Sequence, residues 1–269
     1  MPRIAWLTDI HLNFVQPQSG VTDFLETVRV ENPDAVLISG DIGEAPNIVK
    51  YLQVIDQTLQ LPVYFVLGNH DFYRGGIAST RHKVSKLCLA RPNLHYLTLA
   101  TDPIALSPRM GLIGHDSWAD GRAGDYDNST AMLNDYLVIR EFAGLTPELR
   151  KDRMRVFGDE AAQHIRKQLD DAMQRFDHVM LLTHVPPFRE LCYHKGELLD
   201  DNWAPHFCCL GVGEAIVEVM RDYPKRRVTV LCGHLHSSSQ HNPLPNVSVM
   251  IGGAEYGKPA IVRVFTLPD

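Results

Sequence analysis

The stretch Val63-Tyr64-Phe65-Val66-Leu67-Gly68-Asn69-His70-Asp71 passes from an apolar, β-branched and aromatic run to four residues that do not belong in a hydrophobic core. Such a run after Pro62 predicts a buried strand of a parallel sheet. The polar residues then fall at its carboxyl end, the rim where open α/β sheets bind ligands. The pattern recurs. Ile4-Ala5-Trp6-Leu7 runs into Thr8-Asp9-Ile10-His11, and Ala35-Val36-Leu37-Ile38 into Ser39-Gly40-Asp41. Val179-Met180-Leu181-Leu182 runs into Thr183-His184, and Val228-Thr229-Val230-Leu231-Cys232 into Gly233-His234-Leu235-His236. A single Asp after a strand is ordinarily a cap or turn residue, and a single His is ordinarily a satisfied structural group. Five strand ends that all carry Asp, Asn or His read together as one site.

Taken in order, Asp9-x-His11, Gly40-Asp41, Gly68-Asn69-His70-Asp71, His184 and Gly233-His234-x-His236 resemble the motif set of the calcineurin-like metallophosphoesterases. The first and last blocks lie more than two hundred residues apart, so the resemblance spans nearly the whole chain. It implies a four-layer α/β/β/α sandwich with two mixed sheets, and two divalent metal ions. Oxygen and imidazole donors suit such ions, and a pair roughly 3.5–4 Å apart needs a carboxylate that bridges them. By this resemblance Asp41 is the bridge. Asp9, His11 and His236 complete one metal site, and Asn69, His184 and His234 the other. Mn, Fe, Zn and Ni all accept such ligands, so the identity of the ions stays open.

The implied reaction is hydrolysis of a phosphoester by a metal-activated hydroxide, with the ions' charge stabilising the phosphoryl oxygens. His70 resembles the family's general acid or hydrogen-bond donor to the transition state. Asp71 is expected to orient that imidazole from behind or to cap a helix. One departure is minor. Thr183 stands where the family usually has Gly before His184-Val185-Pro186-Pro187, and the ligand is the imidazole.

The net charge of -6 over 269 residues, with a pI near 6.1, argues against general nucleic-acid binding. The basic stretches at 150–155 and Lys225-Arg226-Arg227 read as solvated surface. No basic, then apolar leader precedes the first strand, and no run approaches membrane-spanning length. The five cysteines lack a disulfide-framework spacing, and Cys208-Cys209 reads as two small buried residues. Cytoplasmic residence and a small phosphoester substrate, with no membrane partner, are the expectation.

Alternating strands and amphipathic stretches at Val21–Val30 and Ile48–Leu59 predict parallel βαβ units. His95–Leu99, Ile104–Leu106 and Met110–Ile113 read as an antiparallel meander. Residues 1–269 read as one domain with loop excursions near 115–157 and 189–212. In the first, Arg122 is a candidate to hold phosphate bidentately and Trp118 to stack on a base or sugar. In the second, long enough to suggest function, Trp203 and His206 are candidate substrate contacts. Ala161, Ile165, Leu169, Met173 and Phe176 form the core stripe of a long helix. Gly211-Val212-Gly213 reads as a turn before a helix from Glu214 to Tyr223. Glu255-Tyr256-Gly257 reads as the hairpin loop between closing strands at Val247–Gly253 and Ile261–Thr266. A phosphodiesterase on a small or nucleotide-like substrate is the leading expectation. The alternatives are a phosphomonoesterase, a non-phosphoester metallohydrolase and an inactive binding module.

Overall fold

The apolar runs become strands because both of their faces can be buried. The computed structural model describes residues 1–267. The first half runs β1 (Arg3–Leu7), α1 (Ser19–Val30), β2 (Ala35–Ser39), α2 (Ile48–Leu59), β3 (Val63–Val66), α3 (Ile77–Leu89), β4 (Leu94–Tyr96), β5 (Ile104–Ser107), β6 (Met110–His115) and a short α4 (Asp135–Val138). The second half runs α5 (Pro147–Arg175), β7 (His178–Thr183), β8 (Tyr193–His194), β9 (Glu197–Leu198), α6 (Leu210–Asp222), β10 (Arg227–Cys232), β11 (Ser239–Leu244), β12 (Val247–Ile251) and β13 (Arg263–Thr266).

One sheet has the order β13-β1-β2-β3-β4, parallel except for β13. The other has the order β11-β12-β10-β7-β6-β5, parallel except for its two edge strands. Alternate residues face opposite ways along each strand. Ile4 and Trp6 of β1, Leu37 of β2, and Met180 and Leu182 of β7 therefore meet in a layer between the sheets. Ala5, Leu7, Val36, Ile38, Val179 and Leu181 face the helices instead. The result is the expected α/β/β/α layering. Truncating a filled inter-sheet position such as Leu37 to Ala costs about 2–5 kcal/mol. Trp6 Nε1 donates to Ser39 Oγ at 2.9 Å within this layer, so its polar edge is satisfied.

Several local readings need correction. The segment around His95 joins no meander: β4 extends the first sheet in parallel beside β3, and only β5 and β6 pair antiparallel. The loop holding Tyr256 is no hairpin, because β12 belongs to the second sheet and β13 to the first. Helix α3 was not anticipated, since its buried face is only Ile77, Thr80, Val84 and Leu87. Helix α5 begins at Pro147, inside the stretch read as an excursion to residue 157. Thr146 accepts from the Leu149 amide and Pro147 occupies the first helical position, a start signal hidden by the charged run that follows. The 211–213 glycine run lies within the first turn of α6 and not before it. Among the described residues no helix is long and apolar enough to cross a membrane.

Candidate metal centre

The polar ends of β1, β2, β3, β7 and β10 meet at one rim. Asp9, His11, Asp41, His234 and His236 all take the left-handed backbone conformation, with φ of 48°, 37°, 54°, 78° and 56°. Non-glycine residues there cost on the order of 1–3 kcal/mol each and persist where the surroundings over-determine them. The glycines beside them leave room for the acids. A Cβ on Gly68 would sit 2.1 Å from Asp41 Oδ1, and one on Gly233 would sit 2.2 Å from Asp9 Oδ2.

One donor atom from each of Asp9, His11, Asp41 and His236 lies within 4.8 Å of all the others. His11 Nε2 is 3.1 Å from His236 Nε2 and 3.6 Å from Asp41 Oδ2, and His236 Nε2 is 3.4 Å from Asp9 Oδ1. On the other side, His184 Nε2 is 3.4 Å from Asp41 Oδ1 and 3.0 Å from Asn69 Oδ1, which is also 3.0 Å from His234 Nδ1. Asp41 thus turns one oxygen to each group.

The donor chemistry fits cations. His184 Nδ1 is 2.9 Å from the Ser39 carbonyl, which can only accept, so Nδ1 carries the proton. Nε2 then presents a lone pair to the oxygens of Asp41 and Asn69. His184 Nε2 and Asn69 Oδ1, 3.0 Å apart, then face each other as two acceptors with no hydrogen between them, a repulsive arrangement that a divalent ion relieves. Buried His234 Nε2 and His11 Nδ1 have no partner at all.

The electrostatics agree. Burial drives His11 down to about 2 and lowers His184 and His234, so the imidazoles are neutral donors. Burial would raise Asp9, but hydrogen bonds with His236 and the Thr8 hydroxyl hold it well below the usual carboxylate range. Burial, with Asp9 and Asp71 close by, pushes Asp41 well up.

His70 lies against the first group, its ring centroid 4.8 Å from His11 and 4.2 Å from Tyr73, on which it stacks. Its amide donates to Asp41 Oδ1 at 2.9 Å, and its buried Nδ1 has no partner. Asp71 serves neither role expected of it. Its oxygens accept from the amides of Ile42, Gly43 and Gly68, stapling the loops after β2 and β3 together.

The expected substrate residues separate. Arg122 gives Nη1 to Asp120 and Nη2 to Asp159, at 3.0 and 2.7 Å, so its fork is already occupied. Trp118 is buried and stacked on Phe142 at 5.1 Å, leaving no face for a base. His206 is buried between the Tyr136 hydroxyl and Ser129 Oγ, at 2.6 and 2.9 Å. Trp203 alone of the four lines a cavity of about 350 Å³ together with Leu199, Phe207, Leu235 and the candidate ligands His234 and His236.

Sequence reasoning missed two contributors. Tyr256 closes the rim, with ring centroids 4.5 Å from His11 and 4.8 Å from His236. Asp135 accepts from Asn69 Nδ2 at 3.0 Å and from the Tyr73 hydroxyl. No strand-end signal marks either residue, since each arrives from a loop or short helix distant in sequence.

The model of the family described as calcineurin-like phosphoesterase matches residues 2–238. A comparison with curated proteins gave no match. Among solved structures, phosphopantetheinyl hydrolase of Mycobacterium tuberculosis superposes with a TM-score of 0.66 at 13% identity, covering 95% of this chain and 90% of that one. A dimetal phosphatase of Danio rerio superposes with a TM-score of 0.59 at 15% identity, covering 96% and 90%. At these identities the likeness is one of fold.

Proposed function

The chain belongs to the calcineurin-like phosphoesterase family and is a metal-dependent hydrolase of phosphoester bonds, and on that premise we propose that it is a phosphodiesterase acting on a small substrate with a flat, uncharged leaving group. In this reading Asp9, His11 and His236 hold one divalent ion, Asn69, His184 and His234 hold a second, and Asp41 is shared. When bound, such ions lower the pKa of water and stabilise charge on the phosphoryl oxygens.

The chain's own groups do the rest. His70, packed on Tyr73 and His11, donates a proton or hydrogen bond to the departing oxygen. Residues 1–269 act as one catalytic unit whose excursion after His184 walls the substrate.

The cavity beside His234 and His236 carries the proposal. Apart from its histidines, its lining residues carry no ionisable charge near neutral pH, and Trp203, Phe207 and Tyr256 offer aromatic surface. That surface suits a nucleobase or another planar group. Arg122, engaged by Asp120 and Asp159, is not free to balance the second charge of a monoester, which supports a monoanionic diester. The free state of all five cysteines supports a reducing, cytoplasmic setting.

Elemental analysis followed by a panel of aryl, alkyl and nucleoside mono- and diesters tests the reading. Turnover of aryl or nucleoside diesters well above the matching monoesters is expected. A preference for monoesters overturns the diester assignment, and turnover of amides or lactones with none of phosphoesters overturns the chemistry.

A further inference from the structure

A second cavity, of about 520 Å³, opens where the 126–132 segment meets the amino-terminal turns of α5, and the lining includes Tyr126, Ser129, Arg150, Lys151, Arg155 and His206. None of these residues is a candidate metal ligand. Arg150 is only 7% exposed, yet no carboxylate among the described residues lies within ion-pairing distance of it. Its guanidinium lies 4.2 Å from the centre of the Tyr136 ring, and its buried Nε has no partner.

Two unfavourable terms therefore meet at one side chain. A buried guanidinium without a counter-ion is costly. A positive charge near a helix amino terminus also opposes the helix dipole, which favours an anion there. Arg155, on the same cavity wall, has no ion-pair partner among the described residues either, and it lies one turn from Lys151, a like-charge spacing.

The acids at this rim do not remedy the imbalance. Asp127 is taken by Lys151 at 2.5 Å. Glu148 interacts with Thr146 and its own backbone amide at the helix start, and Asp152 is exposed. The nearby His206 is kept neutral by burial, and beside it the Ser129 hydroxyl is a short polar group at the wall.

We propose that this cavity is an oxyanion site, separate from the metal centre, in which Arg150 binds a phosphate group with Arg155 and Lys151 at the entrance. A guanidinium fork suits a tetrahedral oxyanion bidentately. A bound phosphate would supply the missing counter-charge to Arg150 and sit at the positive end of α5. The group can arrive as free inorganic phosphate or as the phosphate of a small organic ester, and the chemistry of recognition is shared.

Metal-loaded wild-type crystals soaked in tungstate should show anomalous density at Arg150 as well as at the metal centre. Density at the metal centre alone overturns the proposal, and this arm requires no variant. In solution, calorimetric titration of the metal-loaded enzyme with inorganic phosphate should resolve two sites per chain. In Arg150→Met one of them should weaken by about tenfold or more, the worth of a charge-assisted pair, while the other is unchanged. Two sites of unaltered affinity in that variant refute the assignment. Phenylphosphonate run in parallel separates the sources: tighter binding than inorganic phosphate at the Arg150 site identifies an ester-type ligand, and weaker binding identifies the free anion. The readout is independent of turnover, so it stands or falls apart from the diesterase reading.

Discussion

Asn69 is held from both ends. Its Nδ2 donates to Asp135 Oδ1 at 3.0 Å, and that bond turns its Oδ1 to His184 Nε2 and His234 Nδ1, each 3.0 Å away. Partners of this kind fix a ligand's orientation, and losing one typically lowers metal affinity about 10–100-fold. Asp135→Leu should therefore keep the fold but weaken one of the two ions by that factor, read by competition with a chelator. Equal retention of both ions would leave Asp135 without a positioning role.

Asp41 places Oδ2 3.6 Å from His11 and Oδ1 3.4 Å from His184. Asp41→Asn removes the charge shared by both groups. The purified variant should lose both ions, against two per chain in the wild type. Elemental analysis showing two retained ions would remove the bridging assignment.

His70→Asn should keep both ions and lower kcat by roughly 10²–10⁴, the usual worth of a positioned acid. The loss should be smaller for a nitrophenyl ester, whose leaving group needs little protonation, than for an alkyl ester. Equal losses would instead assign the imidazole to stabilising transition-state charge. Loss of an ion would make His70 a ligand.

Trp203, 40% exposed on the wall of the aromatic cavity, should act on binding. Trp203→Ala should raise KM for aryl or nucleoside diesters and leave kcat on a methyl ester nearly unchanged. Arg122→Ala should show the opposite signature, a lower melting temperature with kinetics intact, because the side chain ties Asp120 to Asp159. Unchanged KM for both classes of ester in Trp203→Ala would exclude that wall from recognition.

Burial, with Arg150 nearby, lowers the His206 pKa to about 4, against about 6.5 in the unfolded chain. The unfolded chain then binds more protons between those values. Its neutral ring is fully compatible with the fold above about pH 6.5, and stability is lost as pH falls toward 4, with a slope of up to about 1.4 kcal/mol per pH unit. His206→Gln should flatten that part of the acid limb of a denaturant-midpoint profile. An identical profile in the variant would mean that other groups set it.

The donors at the rim were legible from residue order, whereas their supporting contacts were not. Each of Asp9, Asp41, Asn69, His184 and His234 comes one or two small polar or glycine residues after an apolar run, and a buried strand hands its next residues to the sheet's carboxyl edge. Periodicity of the same kind identified α2 to the residue, because its apolar stripe Ile48, Leu52, Ile55 and Leu59 is continuous. It overlooked α3, whose stripe is thin, and the start of α5, where charges dominate. Tertiary packing alone decided which residues of the excursions serve the site. Arg122 and Trp118 carry suitable functional groups, yet Asp120, Asp159 and Phe142 occupy them. Asp135 and Tyr256, without a local signal, were brought to Asn69 and His11. A strand-end side chain is placed by its own neighbours in sequence, but a side chain's partners across 66 or more residues depend on how the layers close, and no short window of sequence contains that information.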